Sequence, residues 1–310
     1  MRAPLLSADS TLVQFADEIG DTGPVAIEGG RTRWDVGGPL HQDARLVRAP
    51  SGVVQFQPEE MTVVVRAGTS VSELEHVLKD RNQWCALPNR GGSVGGAIVV
   101  GENDLAVLGK GSVRSSVLEV RYVSSEGRLI RGGGPTVKNV TGFDLPRLMV
   151  GSLGTLSCIA EVILRTNPIP AVSKWYQSDD VDPFVTFASL FRPSAVLWDG
   201  RSTWVLLEGH SSDVDDQVQI LSRFSRFEEV DNPPQLPSHR WSLAPTDIRT
   251  LHQHSTGKFV ASIGVGTVFA EKPQAQRQLS SAVSVVSERL KSNFDPTARL
   301  NPGRSVGVMS

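Results

Sequence analysis

The chain has 310 residues, 39% of them hydrophobic and 21% charged, enough for about two domains and a sizeable core. Lys plus Arg total 31 against 33 Asp plus Glu, a net charge of −2 that lacks the basic footprint expected of a nucleic-acid-binding protein. Two cysteines, Cys85 and Cys158, cannot form a disulfide framework, and no run of about 18 apolar residues suits a membrane span. The first ten residues lack the apolar stretch of a signal peptide, so a reducing cytoplasm is the expected compartment.

In chain order, Ser10 opens an amphipathic helix with Leu12, Phe15, Ala16 and Ile19 on one face. A short strand, Val25 to Ile27, meets Gly29 and Gly30. Thr62 to Gly68 reads as a strand, followed by a helix in which Ser70 and Glu73 have capping-box spacing and Val71, Leu74, Val77 and Leu78 form the buried stripe. Val117 to Val123 and Arg128 to Arg131 read as a hairpin turning at Glu126-Gly127. The mixture is not the regular alternation of a doubly wound sheet and predicts an α+β fold. Asn167-Pro168-Ile169-Pro170 marks a domain boundary, and Asp231 to Pro237 reads as a loop. A last helix is expected over about Ala275 to Lys291, before a tail punctuated by Pro and Gly. The expected domains are residues 1–170, 171–285 and 286–310.

Four glycine clusters carry the chemistry: Glu28-Gly29-Gly30-Arg31-Thr32, Gly91-Gly92-Ser93-Val94-Gly95-Gly96, Gly109-Lys110-Gly111-Ser112 and Gly151-Ser152-Leu153-Gly154-Thr155. Any one could be a plain turn. Together they suggest backbone nests for phosphate oxygens. The dinucleotide fingerprint G-x-G-x-x-G is absent, and around Lys110 a P-loop would need glycine where Asp104 stands. Gly91 to Gly95 matches the nucleophile elbow G-x-S-x-G, but Leu87-Pro88-Asn89-Arg90 is a poor strand and Ala97 to Gly101 a poor helix, which argues against a serine hydrolase. His252 and His254 form the one close histidine pair; without an H-E-x-x-H helix they read as surface or hydrogen-bonded residues, and no metal is expected. The cysteines read as packing residues.

With these loops in this order, the chain resembles the FAD-binding (PCMH-type) domain of the vanillyl-alcohol oxidase flavoprotein superfamily. Within it, Val137-Lys138-Asn139-Val140-Thr141-Gly142-Phe143-Asp144-Leu145 and the tail Phe294-Asp295-Pro296 to Asn301-Pro302-Gly303-Arg304 resemble the FAD-binding subunit of glycolate oxidase. The resemblance covers residues 20–170 and the tail, and is weak from 171 to 285. It implies a two-lobed α+β FAD-binding domain, a small α+β cap domain for substrate or partner docking, and a tail returning to the FAD domain. It further implies non-covalent FAD held by Gly29, Gly30, Arg31, Thr32, Pro88, Gly92, Ser93, Val94, Gly95 and Gly96, with Gly154 and Ile159 by the adenosine half. Gly111, Ser112 and Val113 would line the flavin side, and Lys138 and Asn139 complete the expected set. Arg31 stands where the first loop usually has a third glycine, and Phe143 where relatives commonly have Tyr.

The resemblance implies oxidation of a 2-hydroxy acid through the flavin, with a base for the hydroxyl and a cation for the carboxylate. Candidates are His210, His239, Arg240, His252, His254 and Lys258; none lies in an alignable motif, so the catalytic residues stay unassigned. One reading is a subunit working with a catalytic flavoprotein subunit and an iron–sulfur subunit, reaching a membrane only through those partners. The alternatives are a self-sufficient small FAD-linked dehydrogenase, and a flavin-binding scaffold whose FAD never turns over. A cell-wall precursor reductase of the same superfamily is disfavoured by Lys138 to Leu145.

Overall fold

The computed structural model describes residues 9–134, 144–253, 257–274 and 281–305. Two compact units emerge. The first comprises residues 1–103, 113–168 and 278–309, and the second residues 104–112 and 169–277. Elements are numbered in chain order over both.

In the first unit, α1 (Ser10–Ile19), β1 (Val25–Ile27) and β2 (Arg45–Val47) form one lobe. Asp9 rather than Ser10 caps α1, accepting from the Thr11 N–H, and the helix buries Leu12, Phe15, Ala16 and Ile19 as its periodicity predicts. β1 and β2 pair in parallel, Val25 opposite Arg45. The larger lobe holds β3 (Val53–Gln57), β4 (Thr62–Arg66), α2 (Val71–Lys79), β5 (Gln83–Cys85) and α3 (Val94–Val100). The chain leaves for α4 (Val107–Lys110) of the second unit. It returns through α5 (Val113–Ser116), β6 (Val117–Val123), β7 (Leu129–Gly133), α6 (Leu145–Met149) and β8 (Cys158–Pro168). An antiparallel sheet runs β3-β4-β8-β6-β7, with β5 on the end of β8. Val63, Val65, Val120, Val162 and Leu164 form its apolar face, against which α2 and α3 bury Leu74, Leu78, Val94 and Ile98. Ser70 caps α2 through the Glu73 N–H.

Residues 97–100 correct the expectation of a poor helix: they complete α3. The β-branched residues are tolerated because both ends are capped. Ser93 Oγ accepts from the Gly96 N–H, and Gly101 closes the helix at φ +68°, a left-handed position that favours glycine.

The second unit is built on a seven-stranded antiparallel sheet. It contains β9 (Val172–Asp179), α7 (Pro183–Ser189), β10 (Ala195–Trp198), β11 (Ser202–Gly209), α8 (Ser211–Leu221) and β12 (Glu228–Val230). Then come β13 (His239–Ser242), a 3-10 helix (Pro245–Gln253), β14 (Phe259–Ser262) and β15 (Thr267–Ala270). One core gathers Val196, Val205, Leu207, Val214, Leu221 and Trp241. On other contacts of the sheet, Leu105 packs with Leu197 and Trp204, and Ala106 with Ala195 and Leu206, which fastens residues 104–112 to this unit. Gly109 permits that approach: a Cβ there would collide with Ser194. Asp231 to Pro237 is a connection without helix or strand, as expected. The C-terminal helix α9 (Ser281–Phe294) runs three residues past the predicted end; residues 275–280 of the prediction lie outside the described residues.

The tail after α9 rejoins the first lobe. Leu300 bridges Val25, the Asn301 N–H donates to the Val25 carbonyl (2.8 Å), and the Asn301 side chain accepts from the Ile27 N–H (3.2 Å). Cys158 lies in the same core with Leu12, Ile19 and Leu300. Burial pushes its thiol up to about 12. Two results follow. In the native protein at pH 8, iodoacetamide leaves Cys158 unlabelled, and denaturant exposes it; mass spectrometry of the tryptic peptide reads both. Because the folded pKa lies above the unfolded one, this group's contribution is intact below the ordinary value of 9. It declines by about 1.4 kcal/mol per pH unit as pH rises from 9 towards 12, so urea midpoints fall across that range.

Candidate functional site

The first and second glycine loops meet backbone to backbone. A Cβ on Gly30 would lie 2.7 Å from Gly92 Cα, one on Gly92 2.6 Å from Thr32 Oγ1, and one on Gly29 2.6 Å from Ser93 Oγ. Only hydrogen at those positions allows the two loops to form one wall. That wall lines a solvent-open cleft of the first unit. A second hollow continues it through Gly29, Ser93, Gly96 and Asn301 to Gly95, Gly154 and Ile159.

The wall is rich in donors. The backbone N–H groups of Gly29, Gly30, Arg31, Thr32, Gly92 and Ser93 find no acceptor among the described residues, whereas those of Val94 and Gly95 bind the Thr69 and Ala67 carbonyls. Consecutive unpaired donors of this kind make a concave anion nest.

Arg31, Arg33, Arg90 and Arg304 also line the cleft. Arg31 stands at φ +56°, in the left-handed region, at a cost of about 1–2 kcal/mol relative to ordinary backbone. Its guanidinium is ion-paired with Glu28 and lies 4.9 Å from the centre of the Trp34 ring, contacts that offset the strain. Hydrogen bonds from Arg48 and Arg31 hold the Glu28 carboxyl below the usual carboxylate range. Glu102, at the C-terminal end of α3, accepts from Arg33 Nε (2.9 Å) and Arg90 Nη1 (3.0 Å). It thus brackets the first loop to the second.

The cleft therefore gathers Gly29, Gly30, Arg31, Thr32, Pro88, Gly92, Ser93 and Gly96 from the expected set, with Gly95, Gly154 and Ile159 in its continuation. Val94 and Val113 are fully enclosed in the core, so their side chains offer nothing to a ligand. Gly111 and Ser112 fall in the second unit. Lys138 and Asn139 lie outside the described residues, as does most of Val137 to Leu145. Sequence reasoning missed Arg33, Trp34, Arg90 and Glu102, which carry no motif of their own, although Arg33, Trp34 and Arg90 sit within four residues of a glycine loop.

The serine of the elbow-like motif is spent on the α3 cap and is 8% exposed, a helix-capping role and not that of a nucleophile. The second-unit candidates come from different elements. His210 precedes α8, His239 and Arg240 lie on β13, and Lys258 precedes β14; His254 and the side chain of His252 are outside the described residues. Among the described residues no group of three or more His, Cys, Asp or Glu could hold a metal ion, and no helix is long and apolar enough to cross a membrane.

The chain carries an FAD-binding flavoprotein domain: the FAD binding domain family matches residues 10–133. The chain is 33% identical to glycolate oxidase subunit GlcE of Escherichia coli K12 across 96% of its length and 97% of that protein. It belongs to the GlcE family of glycolate oxidase subunits. The mitochondrial cytochrome D-lactate dehydrogenase of Arabidopsis thaliana is 26% identical over 71% of this chain, which spans 38% of that protein. Bacillus subtilis glycolate oxidase subunit GlcD is 29% identical over 42% of this chain and 28% of its own. An alkyldihydroxyacetonephosphate synthase structure shares the fold, with a TM-score of 0.67 at 15% identity, covering 94% of this chain and 73% of that one.

Proposed function

We propose that this chain is the FAD-carrying subunit of a 2-hydroxy-acid oxidase complex of the glycolate oxidase type. FAD is its cofactor, and the observation that carries its placement is the double-loop wall. Six backbone N–H groups without an acceptor among the described residues belong to it, and four guanidiniums that outnumber the carboxylates of Glu28 and Glu102 line the same cleft. Such a surface complements the dianionic diphosphate of FAD. The glycines are what let the two loops close into that wall, since a Cβ on Gly29, Gly30 or Gly92 would strike the facing loop.

When bound, FAD supplies the two-electron acceptor chemistry. The chain's own contribution is to bind and orient it. Gly29 to Thr32 and Gly92-Ser93 offer backbone donors; Arg31, held by Glu28 and Trp34, and the Arg33–Glu102–Arg90 bracket supply positive charge around them. The expected placement of Gly111, Ser112 and Val113 on the flavin side, and the expected cofactor contacts of Lys138 and Asn139, remain part of this proposal. Oxidation of a 2-hydroxy acid needs a base for the hydroxyl and a cation for the carboxylate, and the described candidates His210, His239, Arg240 and Lys258 lie in no motif that supplies both. The complete reaction is therefore assigned to a complex with a catalytic flavoprotein subunit, passing electrons to an iron–sulfur subunit.

Anaerobic stopped-flow absorbance tests this. Addition of glycolate or D-lactate to the isolated FAD-loaded chain should leave the flavin oxidised. The same addition after mixing with a partner flavoprotein subunit should bleach it. Bleaching of the isolated chain would instead favour a self-sufficient dehydrogenase, and no bleaching in the complete complex would favour a scaffold.

A further inference from the structure

Three of the four cleft arginines are ion-paired: Arg31 shares Glu28 with Arg48, and Arg33 and Arg90 share Glu102. Arg304, on the C-terminal tail, has no carboxylate within ion-pair distance among the described residues. Asp35 lies near enough to favour its charged form, but burial outweighs it and pushes the Arg304 pKa down. The guanidinium carbon sits 5.3 Å from the centre of the Trp34 ring, and Nη1 donates to the Val36 carbonyl at 2.7 Å. The backbone on either side is fixed. The His41 N–H donates to the Pro302 carbonyl (2.8 Å), the Ser305 N–H to the Gly37 carbonyl (2.9 Å), and Asn301 Nδ2 to the Leu153 carbonyl (2.7 Å). A partly desolvated cation is thus held in place on the wall of an anion-binding cleft, with one carbonyl and one ring as its partners. Its remaining N–H groups are donors whose hydration burial has reduced.

We infer that Arg304 is a cofactor-binding residue, the cation without a carboxylate partner among the described residues that the C-terminal tail contributes to the FAD diphosphate. This rests on the reading of the cleft given above. It makes the tail part of the cofactor site, so that residues 300–305 serve the same ligand as loops near residues 30 and 92. The carboxylate-paired arginines shape the wall, and Arg304 adds a cation that no carboxylate among the described residues engages.

The test is FAD titration of flavin-stripped protein by flavin fluorescence, at low and high salt, for wild type, Arg304→Lys and Arg304→Gln. Glutamine keeps a donor for the Val36 carbonyl and removes the charge. Loss of a charge-assisted bond to phosphate predicts about a tenfold or greater rise in the FAD Kd for Arg304→Gln at low salt. The deficit should shrink as salt rises and recover in part with Arg304→Lys. A deficit of less than twofold, or one that is equal at both salt concentrations and in both variants, would overturn the inference and leave Arg304 a structural residue. If Arg304→Gln fails to fold, the Arg304→Lys deficit and its salt dependence decide the same question. Failure of wild type to bind FAD would instead defeat the underlying reading of the cleft.

Discussion

Replacing Arg299 with methionine is expected to destabilise the first unit by at least about 3 kcal/mol, the scale seen when a buried charged partner is removed. The residue is 5% exposed, and its guanidinium donates to five backbone carbonyls: Ile19 (2.8 Å), Gly20 (3.2 Å), Thr22 (2.9 Å), Gly23 (2.8 Å) and Ser125 (3.1 Å). These carbonyls lie at the end of α1, in the turn before β1 and after β6, so one planar cation ties both lobes to the tail. Beside it, the buried Asp295 carboxylate accepts from the Arg299 and Leu300 N–H groups and from Lys291 Nζ. Methionine fills similar volume but leaves the five carbonyls without that donor. For a unit of this size the cost corresponds to a fall of about 6–12 °C in the thermal midpoint. Lysine should recover only part of it, since an ammonium cannot reach five acceptors spread across a plane. Thermal melts of the two variants check this, and a shift below about 2 °C for Arg299→Met would contradict the structural role.

The second large effect is on cofactor retention with the fold preserved. Gly30 is exposed and its missing Cβ faces Gly92 Cα, backbone that cannot rotate away as a side chain would. Gly30→Val must therefore part the two loops and spoil the alignment of their N–H groups. Losing even one bond to a charged phosphate, about 1.5–3 kcal/mol, predicts at least ~tenfold weaker FAD binding. The melting profile of the flavin-free protein should change little, because the loops are surface walls of the cleft. Gly68 provides the contrast. A Cβ there would collide with the Ala49 carbonyl inside the first unit, so Gly68→Ala is expected to impair folding itself. Equilibrium dialysis against FAD, with circular dichroism on the same samples, separates the two outcomes.

Much of the first unit was legible because its signals are local. The 3.6-residue spacing of Leu12, Phe15, Ala16 and Ile19 and the Ser70–Glu73 cap each specify a helix without reference to distant chain. The glycine loops were legible because a close approach of two backbones leaves glycine as its trace. Ala97 to Val100 misled because propensity is local while the packing of Ile98 against the sheet core is not. Arg33 and Arg90 look like any surface arginine until Glu102, 69 and 12 residues away, brings them together. The departure of residues 104–112 to the second unit was equally hidden, since Leu105 and Ala106 find their apolar partners almost a hundred residues further on.

The most direct test of the central claim is the visible absorption spectrum of the purified chain, recorded before and after denaturation. A flavin spectrum, with FAD released into the supernatant and rebound by wild type but not by Gly30→Val, is the predicted result. A colourless protein that takes up no added FAD would contradict the account and return the paired glycine loops to ordinary turns.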